Sequence, residues 1–254
     1  MNFKDQGEGP AVVLIHGLFG SLDNLGLLAR PLGEQYRVIS VDLRNHGASF
    51  HNDEMSYPAQ AADVLALLDF LGLDKVALVG HSMGGKVAMQ LAKQATTRVA
   101  KLVVADIAPV AYPHARHKDV FAGLNATLEH APQSRREAEA ILAEHIGIPG
   151  VRQFLLKSFA KGESGWGWRF NVPALERNYA NIMGWPDDER RFEGPTLFIK
   201  GGESDYMQPE YTGTAMAQFP AAKARIIAGT GHWLHAEKPV LFNKLVVDFL
   251  STGG

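Results

Sequence analysis

The residues best placed to do chemistry are Gly80-His81-Ser82-Met83-Gly84. This is a GxSxG pentapeptide between an apolar run, KVALVG, and a helix-like stretch, MGGKVAMQLAKQ. In that context the serine sits on a sharp strand-to-helix turn, with its hydroxyl exposed above the sheet. Glycines on either side remove side chains that would collide at such a turn. The helix N-terminus favours negative charge developing beside it. The chemistry that follows is nucleophilic acyl transfer through Ser82. Gly80, Gly85 and Lys86 also fit most of a GxxxxGK phosphate loop. Val87 stands where that motif needs Ser or Thr to hold Mg²⁺, so nucleotide hydrolysis is the weaker reading.

Acyl transfer needs donors aimed at the carbonyl oxygen as it becomes charged. The run AVVLIH ends in His16-Gly17-Leu18-Phe19-Gly20, a glycine loop at a strand end. The backbone N–H groups of Leu18 and Met83 are the expected oxyanion donors. Asp42-Leu43-Arg44-Asn45-His46-Gly47 follows the next strand and is expected to brace the active-site loops, with no direct chemical role for His46.

A serine needs a base, and ten histidines compete. The chain order for this arrangement is Ser, acid, His, with the histidine on a loop after the last strand. Only GTGHWLHAEKP fits, which selects His232; His235 reads as a structural contact. His114, His117, His130 and His145 fall elsewhere, and no metal-ligand spacing occurs. Two aspartates stand where an acid could orient His232. Asp205 lies in Gly202-Glu203-Ser204-Asp205, after the run PTLFIK. Asp106 ends the run KLVVAD. Spacing alone points to Asp205.

The elements that must position these residues follow from hydrophobic patterning. Apolar runs at 11–16, 37–41, 75–80, 101–106, 195–200 and 223–228 read as strands buried on both faces, as in a parallel sheet. Helical spacing marks 57–73, where Pro58 suits a first turn, 83–94 and 238–250. Strand alternating with helix predicts an α/β fold with right-handed crossovers. The pattern breaks near residues 108 to 193, which read as helices and loops without strand signals. The expected organisation is a core of 1–107 and 194–254 with an inserted helical cap of 108–193. Trp166, Trp168, Phe170, Met183 and Trp185 in that cap are candidates to line an acyl pocket. Phe19, His81 and Trp233 are candidates beside the nucleophile.

The chain has 254 residues, 46% hydrophobic, with no cysteine and a net charge of −2. Disulfides, a thiol nucleophile and thiolate metal sites are excluded. Nothing in the charge predicts nucleic acid or an anionic membrane as a partner. MNFKDQGEGP does not read as a signal peptide, and no run is long enough to span a bilayer. The expectation is a soluble cytoplasmic protein acting on a small molecule.

HGLFGS, VDLRNHG, GHSMGGK, DIAPV, WRFNVPAL and GHWLHAEKP together resemble the YbfF-type bacterial esterases, a branch of the α/β-hydrolase fold. The likeness runs from about residue 11 to 250. GHSMG and HG mark only the superfamily, whereas DIAPV and RFNVPAL are specific to the branch. The resemblance implies cofactor-free hydrolysis of short- to medium-chain acyl esters and acyl-CoA thioesters, with a compact cap over a narrow pocket. It also points to Asp106 as the acid, against the spacing. GESGWGWRF departs from the branch, whose members carry a shorter turn there. C–C bond hydrolysis, cofactor-free peroxidation and ligand reception without turnover are the competing uses of such a scaffold.

Overall fold

The computed structural model describes residues 1–113 and 116–253; His114, Ala115 and Gly254 lie outside the described residues. The core is a seven-stranded sheet. Its strands are β1 (Phe3–Gln6), β2 (Ala11–Ile15), β3 (Arg37–Val41), β4 (Val76–His81), β5 (Val99–Ala105), β8 (Thr196–Gly201) and β9 (Ala222–Ile227). Their spatial order is β1-β3-β2-β4-β5-β8-β9. β1 runs antiparallel to β3, and every other pairing is parallel.

The apolar runs explain the layering. Successive residues of a strand point to opposite faces. In β2, Val13 and Ile15 join one apolar cluster while Val12 and Leu14 join the other. One face is covered by α1 (Gly26–Leu32) and α11 (Pro239–Ser251), through Leu28, Leu32, Phe242 and Val246. The other is covered by α2 (Tyr57–Phe70) and α3 (Met83–Gln94), through Val64, Leu68, Val87 and Leu91. Helix α2 starts as its sequence demands: the Ser56 side chain accepts from the Ala59 N–H, and Pro58 lies in the first turn.

The expected strands and long helices are present, with three differences. β1 was unexpected, since FKDQ offers one apolar residue; as an edge strand it has a solvated face. KARII was expected as a doubly buried strand, but β9 is the opposite edge, and Lys223, Ala224, Arg225 and Ile226 are exposed. The two cations there deter pairing with another chain.

The third difference lies between β5 and β8. The chain leaves the sheet to form α4 (Lys118–His130), α5 (Arg135–Ala143), α6 (Pro149–Leu156), the hairpin strands β6 (Phe159–Gly162) and β7 (Gly165–Trp168), α7 (Val172–Arg177) and α8 (Tyr179–Met183). A stretch expected without strands therefore holds an antiparallel hairpin. FAKGESGWGW builds it, and aromatic rings on and beside it pack on one another. Phe159 stacks on Trp166 at 5.6 Å, and Trp168 stacks on Phe170 at 5.1 Å. After β8 come α9 (Thr212–Gln218) and, past β9, the short α10 (Leu234–Glu237). Among the described residues, no helix is long and apolar enough to cross a membrane.

Candidate active site

Ser82, His232 and Asp106 meet at the C-terminal edge of the parallel strands, where open α/β sheets place their sites. β4 delivers Ser82 to the start of α3 with φ +54° and ψ −125°. A left-handed φ at a non-glycine residue costs about 1–3 kcal/mol and persists only where its surroundings enforce it. Here the enforcement is steric. A Cβ on Gly80 would lie 2.2 Å from the Gly84 carbonyl oxygen, and one on Gly84 would lie 2.3 Å from the His16 and Ile15 carbonyl oxygens. Both contacts are with backbone that cannot yield. Gly84→Ala is therefore expected to destabilise the fold by on the order of 3 kcal/mol, read by denaturant unfolding.

The Ser82 hydroxyl lies 2.8 Å from His232 Nε2, and His232 Nδ1 lies 2.7 Å from Asp106 Oδ2. Asp106 is fully buried and the imidazole is partly exposed. The consistent tautomer has Nδ1–H donating to Asp106, which leaves Nε2 to accept from the serine. Asp106 follows β5 directly, and its own φ of +52° turns the carboxylate toward the histidine loop. Its Oδ1 accepts from the Gly201 N–H at 2.9 Å, and its Oδ2 accepts from the Ser204 hydroxyl as well.

The structure brings Asp106, not Asp205, to His232 Nδ1. Asp205 is mostly exposed, and its carboxylate is paired with Arg116 Nη1 at 2.8 Å. The Arg116 hydrogen bond holds the Asp205 carboxyl below its usual range. The carboxylate that reaches the imidazole lies one strand earlier than the spacing points. What GESD supplies is Ser204, whose hydroxyl helps fix Asp106. Sequence reasoning passed over Ser204; its one signal was a position three residues past the end of β8.

Leu18 and Met83 both border the same cavity as Ser82. The loop carrying Leu18 is pressed against Ser82, since a Cβ on Gly17 would lie 3.2 Å from Ser82 Cβ. Two buried histidines hold this loop. His46 Nε2 accepts from the Phe19 N–H at 3.1 Å, while its Nδ1–H donates to the Arg44 carbonyl at 2.9 Å. His16 Nε2 accepts from the Leu43 N–H at 3.0 Å, and its Nδ1–H donates to the Gly17 carbonyl at 2.7 Å. Each ring must be neutral to accept at one nitrogen and donate at the other.

Burial enforces that neutrality widely around the site. Desolvation pushes His46 down to about 3, and His117 and His235 down to about 4; His81 is also held low. In the unfolded chain these rings take up protons near pH 6.5. Below that pH the unfolded state binds more protons than the native one, so stability falls as pH falls. The expected result is a steep loss of thermal stability between pH 6.5 and 4, read by thermal melts. Replacing His46 by Gln should flatten that slope.

A cavity of about 340 Å³ opens at Ser82 and His232. Phe19, His81 and Trp233 line it, as expected, and so does Met183. Trp185 does not: its indole N–H donates to Gln218 at 3.0 Å and its ring packs on Tyr57 at 5.9 Å. Trp166, Trp168 and Phe170 are likewise not among the lining residues. They pack in the hairpin, and Trp168 donates to the Thr127 hydroxyl at 2.7 Å. Cap residues sequence reasoning had not singled out do the lining instead, among them Val120, Val151, Phe154 and Ile182. Of the other cap histidines, His117 borders the cavity, and His130 and His145 are exposed. His114 lies outside the described residues.

Two further residues flank the imidazole. Tyr206 stacks on His232 with centroids 3.9 Å apart, and the Arg116 guanidinium lies over the outer face of Tyr206 at 4.2 Å. His81 donates from Nε2 to the His232 carbonyl at 2.7 Å. The ring that must face Ser82 is thus fixed on both sides.

The strand order, the strained serine turn and the Ser–His–Asp contacts define a hydrolase site, and the chain belongs to the alpha/beta hydrolase family, whose model matches residues 12–245. Within that family it is a YbfF-type esterase, an enzyme of the carboxylic ester hydrolase class. It is 50% identical to esterase YbfF of Escherichia coli, over 93% of this chain and 91% of that protein. It is 39% identical to the mouse sn-1-specific diacylglycerol lipase ABHD11, over 95% of this chain and 81% of that protein. A solved marine microorganism esterase superposes with a TM-score of 0.94 at 37% identity, covering 98% of both chains.

Proposed function

We propose that Ser82, His232 and Asp106 form the catalytic triad of a serine esterase acting on short- to medium-chain acyl esters. The observation that carries this is the unbroken contact path from the Ser82 hydroxyl through His232 to buried Asp106, opening into a largely apolar cavity. His232 Nε2 takes the hydroxyl proton as Ser82 attacks the acyl carbon. The oxyanion forms against the N–H groups of Leu18 and Met83. Protonated His232, stabilised by Asp106, gives its proton to the leaving alcohol. Water activated by His232 then cleaves the acyl-enzyme.

Residues 108–193 act in this reading as a cap that supplies the apolar wall and excludes water. Tyr57 donates from its hydroxyl to the Ile182 carbonyl at 2.5 Å, and Lys86 donates to the Gly184 carbonyl at 2.7 Å. Both bonds tie α8 to the core. A cavity near the small end of the roughly 300–1,000 Å³ range of ligand pockets supports short to medium acyl groups. Thioesters of the same acyl groups meet the same nucleophile. Recognition of a CoA phosphate has weaker support, because Arg116 is paired with Asp205 and Arg135 donates to the Phe159 carbonyl. The test is kcat/KM over p-nitrophenyl acetate to palmitate, alongside butyryl-CoA. The expected maximum lies between four and eight acyl carbons. A maximum at palmitate would overturn the assigned chain length.

A further inference from the structure

The cavity has two cationic wall groups that the reaction does not use, Arg116, which is paired with Asp205, and Lys86. Lys86 lies one helical turn after Ser82 on α3, about 6 Å along the axis, and so faces the same side as the nucleophile. Its residue is 1% exposed, yet it borders the cavity. Nζ donates to the Gly184 carbonyl at 2.7 Å and to the Met183 carbonyl at 3.3 Å. An ammonium carries three donors, so these bonds leave a third.

The surroundings of Nζ show where that donor can go. The rings of Tyr112 and Tyr57, both cavity-lining, stand 4.7 and 5.5 Å from it. Among the described residues no carboxylate pairs with Lys86. Lys93, two turns further along the same helix and equally buried, makes the contrast. It has Asp188 at 3.1 Å and the Gln218 amide oxygen at 2.8 Å. A lone buried ammonium is costly, and the two carbonyls and the aromatic faces offset only part of that cost. With desolvation unopposed, Lys86 is pulled down to about 7. An anion in the cavity would complete the site.

We propose that Lys86 is a specificity residue that recognises a carboxylate carried by the substrate a few carbons from the scissile ester. The physiological substrate class is then an ester of a dicarboxylic acid, or of a hydroxy acid, rather than a plain fatty acyl ester. The carboxylate accepts from the free Lys86 donor, and the apolar wall holds the carbon chain between it and Ser82. This rests on the esterase reading, and one experiment separates the two.

The probes are monomethyl glutarate and methyl 5-methylhexanoate, which differ only in replacing the two carboxylate oxygens by methyl groups. The acetate ester of 4-hydroxybutyrate and 4-methylpentyl acetate form the second pair, with the carboxylate on the alcohol side. Turnover is followed by pH-stat in wild type, Lys86→Met and Lys86→Gln. The quantity read is the ratio of kcat/KM for carboxylate over neutral ester, which does not depend on the folded fraction. In wild type one pair is expected to give a ratio above one. In Lys86→Met that ratio falls at least tenfold, the scale of a hydrogen bond to a charged group. Lys86→Gln serves if the Met variant does not fold. A ratio that moves less than threefold in the variants, or lies below one for both pairs in wild type, overturns the proposal and makes Lys86 only a tie to the cap. Failure of wild type on the neutral esters and on p-nitrophenyl butyrate would instead overturn the esterase reading.

Discussion

Asp106→Asn lowers kcat on p-nitrophenyl butyrate by about 10⁴-fold, the scale set when a triad acid is made an amide. Asp205→Asn lowers it by less than about tenfold, the range of a surface ion pair. The difference follows from what each carboxylate touches. Asp106 is fully buried and accepts from His232 Nδ1, the Gly201 N–H and the Ser204 hydroxyl. An amide there presents a donor toward one of those groups and favours the wrong imidazole tautomer. The imidazolium formed during attack also loses its counter-charge. Asp205 is mostly exposed and neutralises Arg116. Its removal frees the guanidinium to move on Tyr206, which changes the outer support of His232 and leaves its Nδ1 partner in place.

Ser82→Ala and Ser82→Gly both reduce turnover by more than about 10⁵-fold, as expected when the nucleophile of a triad is removed. Their stabilities separate. Alanine inherits the φ of +54° and its strain. Glycine adopts that conformation freely, at the cost of greater freedom in the unfolded chain. Strain relief of about 1–3 kcal/mol against an entropic cost of about 0.5–1 leaves glycine ahead by roughly 1 kcal/mol. For a chain of this size the Ser82→Gly variant melts about 2–4 °C above Ser82→Ala. Equal melting temperatures would mean that the turn stores no strain.

Much of this site is written locally in the sequence. GHSMG fixes the serine turn because its glycines and flanking elements permit only one conformation. GHW follows the last strand, which leaves one histidine able to reach it. The acid is different in kind. Asp106 and Asp205 follow β5 and β8, which are hydrogen-bonded neighbours with their ends side by side. Which carboxylate faces the imidazole depends on the φ of Asp106, the Gly201 N–H and the grip of Arg116 on Asp205. Those are tertiary facts, and only the likeness to a family pointed toward Asp106.

The aromatic cap residues illustrate a second limit. Residue type marks Trp185 and the GWGW pair as apolar, but both Trp185 and Trp168 carry an indole N–H that needs a partner. Gln218 and Thr127 provide it away from the cavity. The hairpin was hidden because its glycines interrupt the alternation that signals a strand. Lys86 was visible in sequence only as part of a failed phosphate loop. Its exposure to the cavity required the placement of α8 to be known.

Covalent labelling asks directly whether Ser82 is a nucleophile activated by His232. A fluorophosphonate reacts rapidly with a serine so activated. Intact-mass and peptide-mapping analysis of the labelled enzyme should give one adduct per chain, on Ser82. The labelling rate should fall at least a thousandfold in His232→Ala. An adduct on another residue, or labelling of Ser82 at an unchanged rate without His232, would contradict the claim.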